Sequence, residues 1–299
     1  MYRKFETVIK LEKNERAKGD DRDQQTFRQL QMRARDGESS IDDWNILLSR
    51  SPSKVQNLLY FQKNAVRLSF GNEKVAQENY NQLVNLNQPI IQIDAQHNST
   101  KAKHASADDM GGLEPTIYLS KKARVMLTRN LWTEVGLCNG AMGTVVDIIY
   151  AEAHQPPVLP IAIIVQFDDK DYSGPTFCEN IPNCVPLYPV TSCSDMLGAK
   201  LERQQFPLKL AWSITIHKAQ GLTLNNVWID LGHAEKVAGL TYVALTRVRA
   251  ISHLVIEPMA YNRLNCLKKT SNYKYRLLEE TRLNNLYHKT ISKVKQQSQ

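Results

Sequence analysis

The sequence predicts an α/β fold whose parallel sheet is interrupted by a small all-β barrel and followed by a basic helical tail. Three observations carry this reading. A strand, helix, strand order runs from residue 66 to residue 94, the signature of a parallel α/β sheet. A block of short, Pro- and Gly-punctuated strands without helical periodicity fills residues 117–192, as in a small barrel. After Gln205 the α/β character returns, with Leu208, Leu210, Trp212, Ile214 and Ile216 in strict alternation. A length of 299 residues suits one large domain or two ordinary ones.

Each element follows from local chemistry. Phe27 and Leu30 mark a first helix rich in Gln and Arg, broken at Asp36-Gly37. Ser40 with Asp43 three residues on forms a capping box before Ile41, Trp44, Leu47 and Leu48. Ser51-Pro52 ends that helix. Residues 66–70 alternate as a strand, residues 73–86 read as a helix, and residues 89–94 read as a second strand. The polar stretch 98–112 ends in Gly111-Gly112 and reads as a linker or boundary. Strands then follow at 123–128, 143–150 and 161–167, the first two separated by the Asn139-Gly140 turn signal, with Asp168-Asp169 turning the third. The strand 208–216 runs into a polar turn. Residues 227–231 and 253–257 are strands around a helix at 240–249. The predicted division is 1–112 and 205–260 for the α/β domain, 113–204 for the barrel and 261–299 for the tail.

The composition excludes several classes. Hydrophobic residues make up 42% and charged residues 23%, which fits a globular protein and neither disorder nor a collagen-like repeat. The most apolar run, 159–167, contains Pro160 and Gln166 and is too short for a membrane span. No apolar stretch follows the N-terminal Met1-Tyr-Arg-Lys-Phe-Glu, so no signal peptide, no targeting segment and no membrane partner are expected. The net charge is +8, but the segment from Leu267 onward contributes +6 of it. The charge therefore describes a basic tail, solvated or DNA-binding, more than the body. The five cysteines lack zinc-ligand spacing. Free thiols, no disulfide partner and no metal site are expected.

Two segments concentrate chemistry. Thr215, His217, Lys218, Gln220 and Gly221 cluster where an apolar strand meets a polar loop, the place where α/β sheets bind ligands. Such a cluster suits a phosphate or nucleic-acid backbone, and an ordinary polar turn has the same composition. Arg247 and Arg249 end an apolar helix that starts near Gly239. A buried guanidinium calls for an anion, and phosphate matches its planar fork. A surface salt bridge is the commoner fate of an arginine.

Together these segments resemble conserved motifs of the Pif1/RecD-like superfamily 1 DNA helicases. Leu210-Ala-Trp-Ser-Ile-Thr-Ile-His-Lys-Ala-Gln-Gly-Leu-Thr223 is similar to their motif V, and Tyr242-Val-Ala-Leu-Thr-Arg-Val-Arg249 to motif VI. Val125-Met-Leu-Thr-Arg-Asn-Leu131, Gly136-Leu-Cys-Asn-Gly140 and Gly143-Thr-Val-Val146 resemble the start of the inserted barrel, called 2B. Leu11-Glu-Lys-Asn-Glu-Arg16, with residues 27–35 and Asp36-Gly37-Glu38, resembles the opening of the second motor domain, 2A. Ala219 and Thr246 stand where the family often has serine. Helitron-type mobile elements encode helicases of this kind too.

The resemblance implies a RecA-like (P-loop NTPase) motor domain with an SH3-like 2B insertion. It implies that Arg247 is a γ-phosphate arginine finger and Arg16 a second γ-phosphate arginine. Thr215, His217 and Lys218 would touch single-stranded DNA, and Gln220 and Gly221 would link it to the nucleotide cleft. ATP and Mg²⁺ would be the cofactors, and single-stranded, duplex and fork DNA the substrates. Translocation would run 5′ to 3′, in replication, repair, recombination or telomere maintenance, with the nucleus favoured over the mitochondrion. The chain has no Gly-Lys dipeptide and no Asp-Glu pair, so the P-loop and the acidic Mg²⁺ motif of the first motor domain are absent. The expectation is a C-terminal half that begins at the junction of the two motors, needs the first motor in cis, binds no nucleotide tightly and is inactive alone. The alternative is a non-enzymatic, single-stranded-DNA-binding or interaction relic of a transposon-derived helicase.

Overall fold

A computed structural model describes residues 5–11, 14–168, 172–196, 199–233 and 237–297. The chain forms two compact units, residues 1–70 with 215–299, and residues 71–214. The first unit opens with α1 (Arg22–Asp36), capped by Asp21 through the Gln24 N–H and closed by Gly37 at φ 69°. Its buried residues are Gln24, Phe27, Leu30, Gln31 and Ala34, one helical stripe. In α2 (Ile41–Leu48) the predicted capping box is present: Ser40 Oγ accepts from the Asp43 N–H at 3.1 Å and Asp43 Oδ2 from the Ser40 N–H at 2.9 Å. Arg33 of α1 adds two 2.7 Å hydrogen bonds to the same carboxylate. Helix α3 (Leu58–Asn64) leads into β1 (Val66–Ser69).

The second unit begins with α4 (Asn72–Asn85), β2 (Ile91–Asp94), β3 (Gln96–His97) and α5 (Thr100–His104). Next come β4 (Thr116–Leu119), β5 (Arg124–Leu127), β6 (Met142–Ile149) and β7 (Ala162–Phe167). It ends with β8 (Cys184–Leu187), β9 (Val190–Met196), β10 (Ala199–Gln205) and β11 (Leu208–Leu210). Five strands pair antiparallel in the order β11-β5-β6-β7-β8, beside a three-stranded β3-β10-β9 sheet and a two-stranded β2-β4 sheet. Leu83, Ile93, Leu119, Val125, Val165, Phe167 and Phe206 meet in one core. Gly143 allows the close β6–β7 approach, because a Cβ there would lie 2.6 Å from Val165 and 2.7 Å from the Gln166 carbonyl.

In β12 (Ser213–Thr215) the chain passes back to the first unit. It continues through β13 (Val227–Ile229), α6 (Leu240–Leu245), β14 (Leu254–Ile256) and α7 (Tyr273–Gln297). The sheet order is β12-β1-β13-β14, with parallel registers Val66↔Val227 and Val227↔Leu254. The predicted helical tail is α7, tied to the end of α1 by Arg276, which donates to the Arg35 carbonyl and to Asp36. Among the described residues no helix is long and apolar enough to cross a membrane.

Five expectations change. Strand β2 is antiparallel to β4 rather than a neighbour of β1, because Ile93 joins the antiparallel core. The span 71–112 accordingly packs with the barrel, so the units divide at 70/71 and 214/215 instead of at 112/113 and 204/205. The stretch 98–112 is a packed element rather than a linker. Fully buried Arg203 gathers the carbonyls of Ala102, Ala105 and Leu113, each at 2.7 Å. The alternation 208–216 is two strands, with β11 paired to β5 and β12 placed in the parallel sheet. Cys178 and Cys184 form a disulfide, their Cα atoms 5.6 Å apart across a tight loop, while Cys138, Cys193 and Cys266 are free thiols. Asp169 of the predicted turn lies outside the described residues.

Burial raises the Asp43 carboxyl pKa, and the hydrogen bonds from Arg33 and Ser40 outweigh it, holding the group below its usual range. The stability this carboxylate supplies is present above the unfolded pKa of about 3.9 and is lost as pH falls through the lower folded value. Asp43→Ala is expected to cost about 2 kcal/mol in urea unfolding at pH 7. The gap to wild type should shrink at pH 3. An equal gap at both values would remove the charge from the explanation.

Candidate phosphate and nucleic-acid site

The loop that leaves β12 is built by its own residues. Thr215 is buried, its Oγ1 accepting from the Lys218 N–H at 3.3 Å and its carbonyl from the Ala219 N–H at 3.1 Å. The Gln220 N–H returns to the His217 carbonyl at 3.1 Å. This single turn exposes His217, Lys218 and Gln220 and buries Ala219. Gly221 has φ +90°, a conformation that strains any residue with a Cβ. The structure therefore places His217, Lys218 and Gln220 outward, while Thr215 orders the turn from inside.

Arg247 closes this loop from behind. It is 7% exposed. Its Nε donates to the Val243 carbonyl at 2.7 Å, and Nη1 to the carbonyls of Ala219 and Leu222 at 3.2 Å each. Its Nη2 donates to Thr246 Oγ1 at 2.7 Å. The Leu224 N–H answers by donating to the Arg247 carbonyl at 2.8 Å. Helix α6 and loop 215–224 are thereby locked together through one side chain.

Arg16 joins the lock. Its Nε donates to Thr223 Oγ1 at 2.8 Å and its Nη1 to the Thr246 carbonyl at 2.9 Å. Glu12 and Lys13 of the same motif lie outside the described residues. Burial, and secondly the charge of Arg16, push the Arg247 pKa down to about 10. Burial also lowers that of Arg16, which the Tyr242 hydroxyl partly restores and the Arg249 charge lowers further. Every hydrogen bond of Arg16 and Arg247 among the described residues goes to a carbonyl or hydroxyl, none to a carboxylate. Cations gathered without a counterion fit a phosphate. Among the described residues no group of His, Cys, Asp or Glu side chains could hold a metal ion.

Sequence reasoning missed the supports of this site. Gln24 Nε2 donates to the Arg249 carbonyl at 2.6 Å, and buried Gln31 Nε2 to the Leu245 carbonyl at 3.1 Å. Gln31 meets the last residue of α6 and Gln24 the segment that follows it, so both fasten this stretch to α1. The signal was available: polar residues seven apart share the core-facing stripe of Phe27, Leu30 and Ala34. Thr223, the acceptor for Arg16, had no signal beyond its place in the motif.

Comparison with known proteins finds Pif1 helicases. Residues 118–148, which include β5 and most of β6, match the family described as DNA helicase Pif1, 2B domain. The chain is 37% identical over 138 residues to ATP-dependent DNA helicase PIF1 of Danio rerio, spanning 46% of this chain and 19% of that protein. It is 31% identical over 199 residues to ATP-dependent DNA helicase PIF1 of Homo sapiens, spanning 66% of this chain and 28% of that protein. The chain thus spans less than a third of the length of these relatives. The Pif1 helicase structure from Candida albicans superposes with a TM-score of 0.65 at 23% identity, covering 88% of this chain and 59% of that one. Bacteroides Pif1 in complex with ADP-AlF3 and single-stranded DNA gives 0.59 at 20% identity, covering 85% and 53%. These likenesses are all to Pif1 helicases: residues 118–148 resemble their 2B domain, and the chain shares the α/β fold of the solved Pif1 structures.

An anion that reaches Arg16 and Arg247 relieves their mutual repulsion. Millimolar inorganic pyrophosphate is expected to raise the melting temperature by about 2 °C or more. The shift should vanish in Arg16→Met and shrink in Arg247→Lys, since lysine lacks the fork. An equal shift in wild type and both variants would place the anion elsewhere.

Proposed function

We propose that this Pif1-like chain acts as the second motor domain, with its 2B insertion, of a 5′ to 3′ ATP-dependent DNA helicase. The observation that carries the reading is the lock of Arg16, Arg247 and loop 215–224. One set of hydrogen bonds ties two phosphate-seeking guanidiniums to a turn that displays His217, Lys218 and Gln220. The Pif1 relatives are named ATP-dependent DNA helicases, and a solved Pif1 is bound to single-stranded DNA.

In this reading ATP supplies a triphosphate whose cleavage develops charge on the phosphoryl oxygens, with Mg²⁺ held by another motor domain. Arg247 exchanges the Ala219 and Leu222 carbonyls for phosphoryl oxygens, stabilising charge as an arginine finger does. Arg16 supplies a second guanidinium. Releasing those carbonyls loosens the turn, so the grip of His217, Lys218 and Gln220 on DNA phosphates changes with the state of the nucleotide. Thr215 and Gly221 hold the turn's shape. The P-loop and acidic pair are absent from the sequence, so the chain by itself does not turn over ATP.

Two measurements test this. The purified chain should show no DNA-stimulated phosphate release from ATP, and release that disappears in Arg247→Ala would overturn the assignment of hydrolysis to residues outside it. Single-stranded DNA should bind with a steep salt dependence. Lys218→Ala should weaken binding to all sequences alike and reduce the slope of log K against log salt by about 1. An unchanged slope would remove Lys218 from the interface.

A further inference from the structure

A second site lies on the same edge of the parallel sheet as loop 215–224. The last residues of the four strands line up there. The Ile216 N–H donates to the Ser69 carbonyl, Asp230 to Leu68, and Glu257 to Ile229. Beyond β13 and β14 opens a cavity of about 560 Å³, lined among others by Trp44, Leu48, Asp230, Glu257, Met259 and Arg263. Its position, outside the carboxyl ends of parallel strands, is where α/β sheets bind ligands.

Two of its walls are fixed by their neighbours. The indole N–H of Trp44 is spent on the Met259 carbonyl at 2.8 Å, and its ring rests edge-on against Tyr261, centroids 6.3 Å apart. What Trp44 offers a ligand is π surface. Glu257 is half-buried, and one carboxylate oxygen accepts from the Trp228 indole at 2.7 Å. That bond orients the carboxylate and leaves its second oxygen as an acceptor. Asp230 adds a second acidic group, its Oδ1 capping the Gly232 N–H at 2.8 Å. Arg263 is buried, donating to the Leu231 carbonyl at 3.2 Å.

This lining selects a flat aromatic group with N–H donors on its edge. The oriented Glu257 carboxylate calls for an N–H donor, while an aromatic wall with apolar flanks stacks a base. A glutamate accepts from the exocyclic amine of cytosine, and adenine and guanine carry amines as well. Thymine carries none, and its carbonyl oxygens flank its one edge N–H and would face the carboxylate. We propose that this cavity receives one unpaired, amino-bearing base of the DNA strand whose phosphates follow His217, Lys218 and Gln220. The proposal rests on the DNA reading above and adds to it a base-selective subsite on the β13–β14 edge.

The test compares binding of the full chain to oligo-dC, oligo-dT and an abasic oligomer of the same length by fluorescence anisotropy. Oligo-dC should bind about tenfold more tightly than oligo-dT, with the abasic strand no better than oligo-dT. The preference should be lost in Glu257→Gln, whose amide also donates, and in Ala260→Trp, which fills the cavity from its exposed rim. Equal affinity for all three strands, or a preference that survives both variants, overturns the subsite while the DNA reading stands. No binding of any strand at low salt overturns both.

Discussion

The guanidinium of Arg247 is the joint on which the functional edge of the first unit depends. Its four hydrogen bonds run to α6 and to loop 215–224, so neither element keeps its place without the other. The arrangement has a cost. A base whose folded pKa is pushed down to about 10 by burial is penalised at every pH below that value. The penalty fades only as pH rises from about 10 towards the unfolded value. Carbonyl oxygens offset part of this cost, and a carboxylate would offset more. Among the described residues no carboxylate bonds to Arg247, which suits the proposed attraction for an incoming anion.

The sequence made the local chemistry of the fold legible. The capping box at Ser40 and Asp43, the stop at Gly37 and the strands from residue 123 onward follow from short-range rules, and the structure has them. Long-range pairing was not legible. An apolar strand such as β2 has the same pattern whether it lies parallel beside β1 or antiparallel against β4. The alternation 208–216 concealed a change of sheet, because a strand continuing from one sheet into another keeps its period of two. Segment 98–112 looked like a linker because its packing depends on Arg203, a residue about a hundred positions away.

At the site, residue types were legible and orientation was not. The motifs place Arg247, Arg16, His217 and Lys218 in one neighbourhood, and the hydrogen bonds through Thr223 and Thr246 bring them together. The motif alone does not separate Thr215, whose hydroxyl holds the turn, from His217 and Lys218, which face outward. That division follows from the way one turn closes on itself. Glu257 was invisible to motif reasoning because its orientation comes from Trp228, a partner that only the pairing of β13 with β14 brings near.

Net charge misdirects the search for a nucleic-acid surface in this chain. Most of the excess lies beyond residue 266, yet several of those cations are already matched. Arg276 pairs with Asp36 and Glu280, Arg282 with Glu279, and Lys268 with Glu38. Exposed pairs of this kind contribute little to stability and are screened by salt. Arg16 and Arg247 add only two charges, but they are partly desolvated and, among the described residues, have no carboxylate among their hydrogen-bond partners. Attraction for a phosphate depends on the dielectric around a charge and on whether it is already neutralised. By that criterion the proposed anion site is the end of α6, and the basic helix α7, for all its lysines, is the weaker candidate.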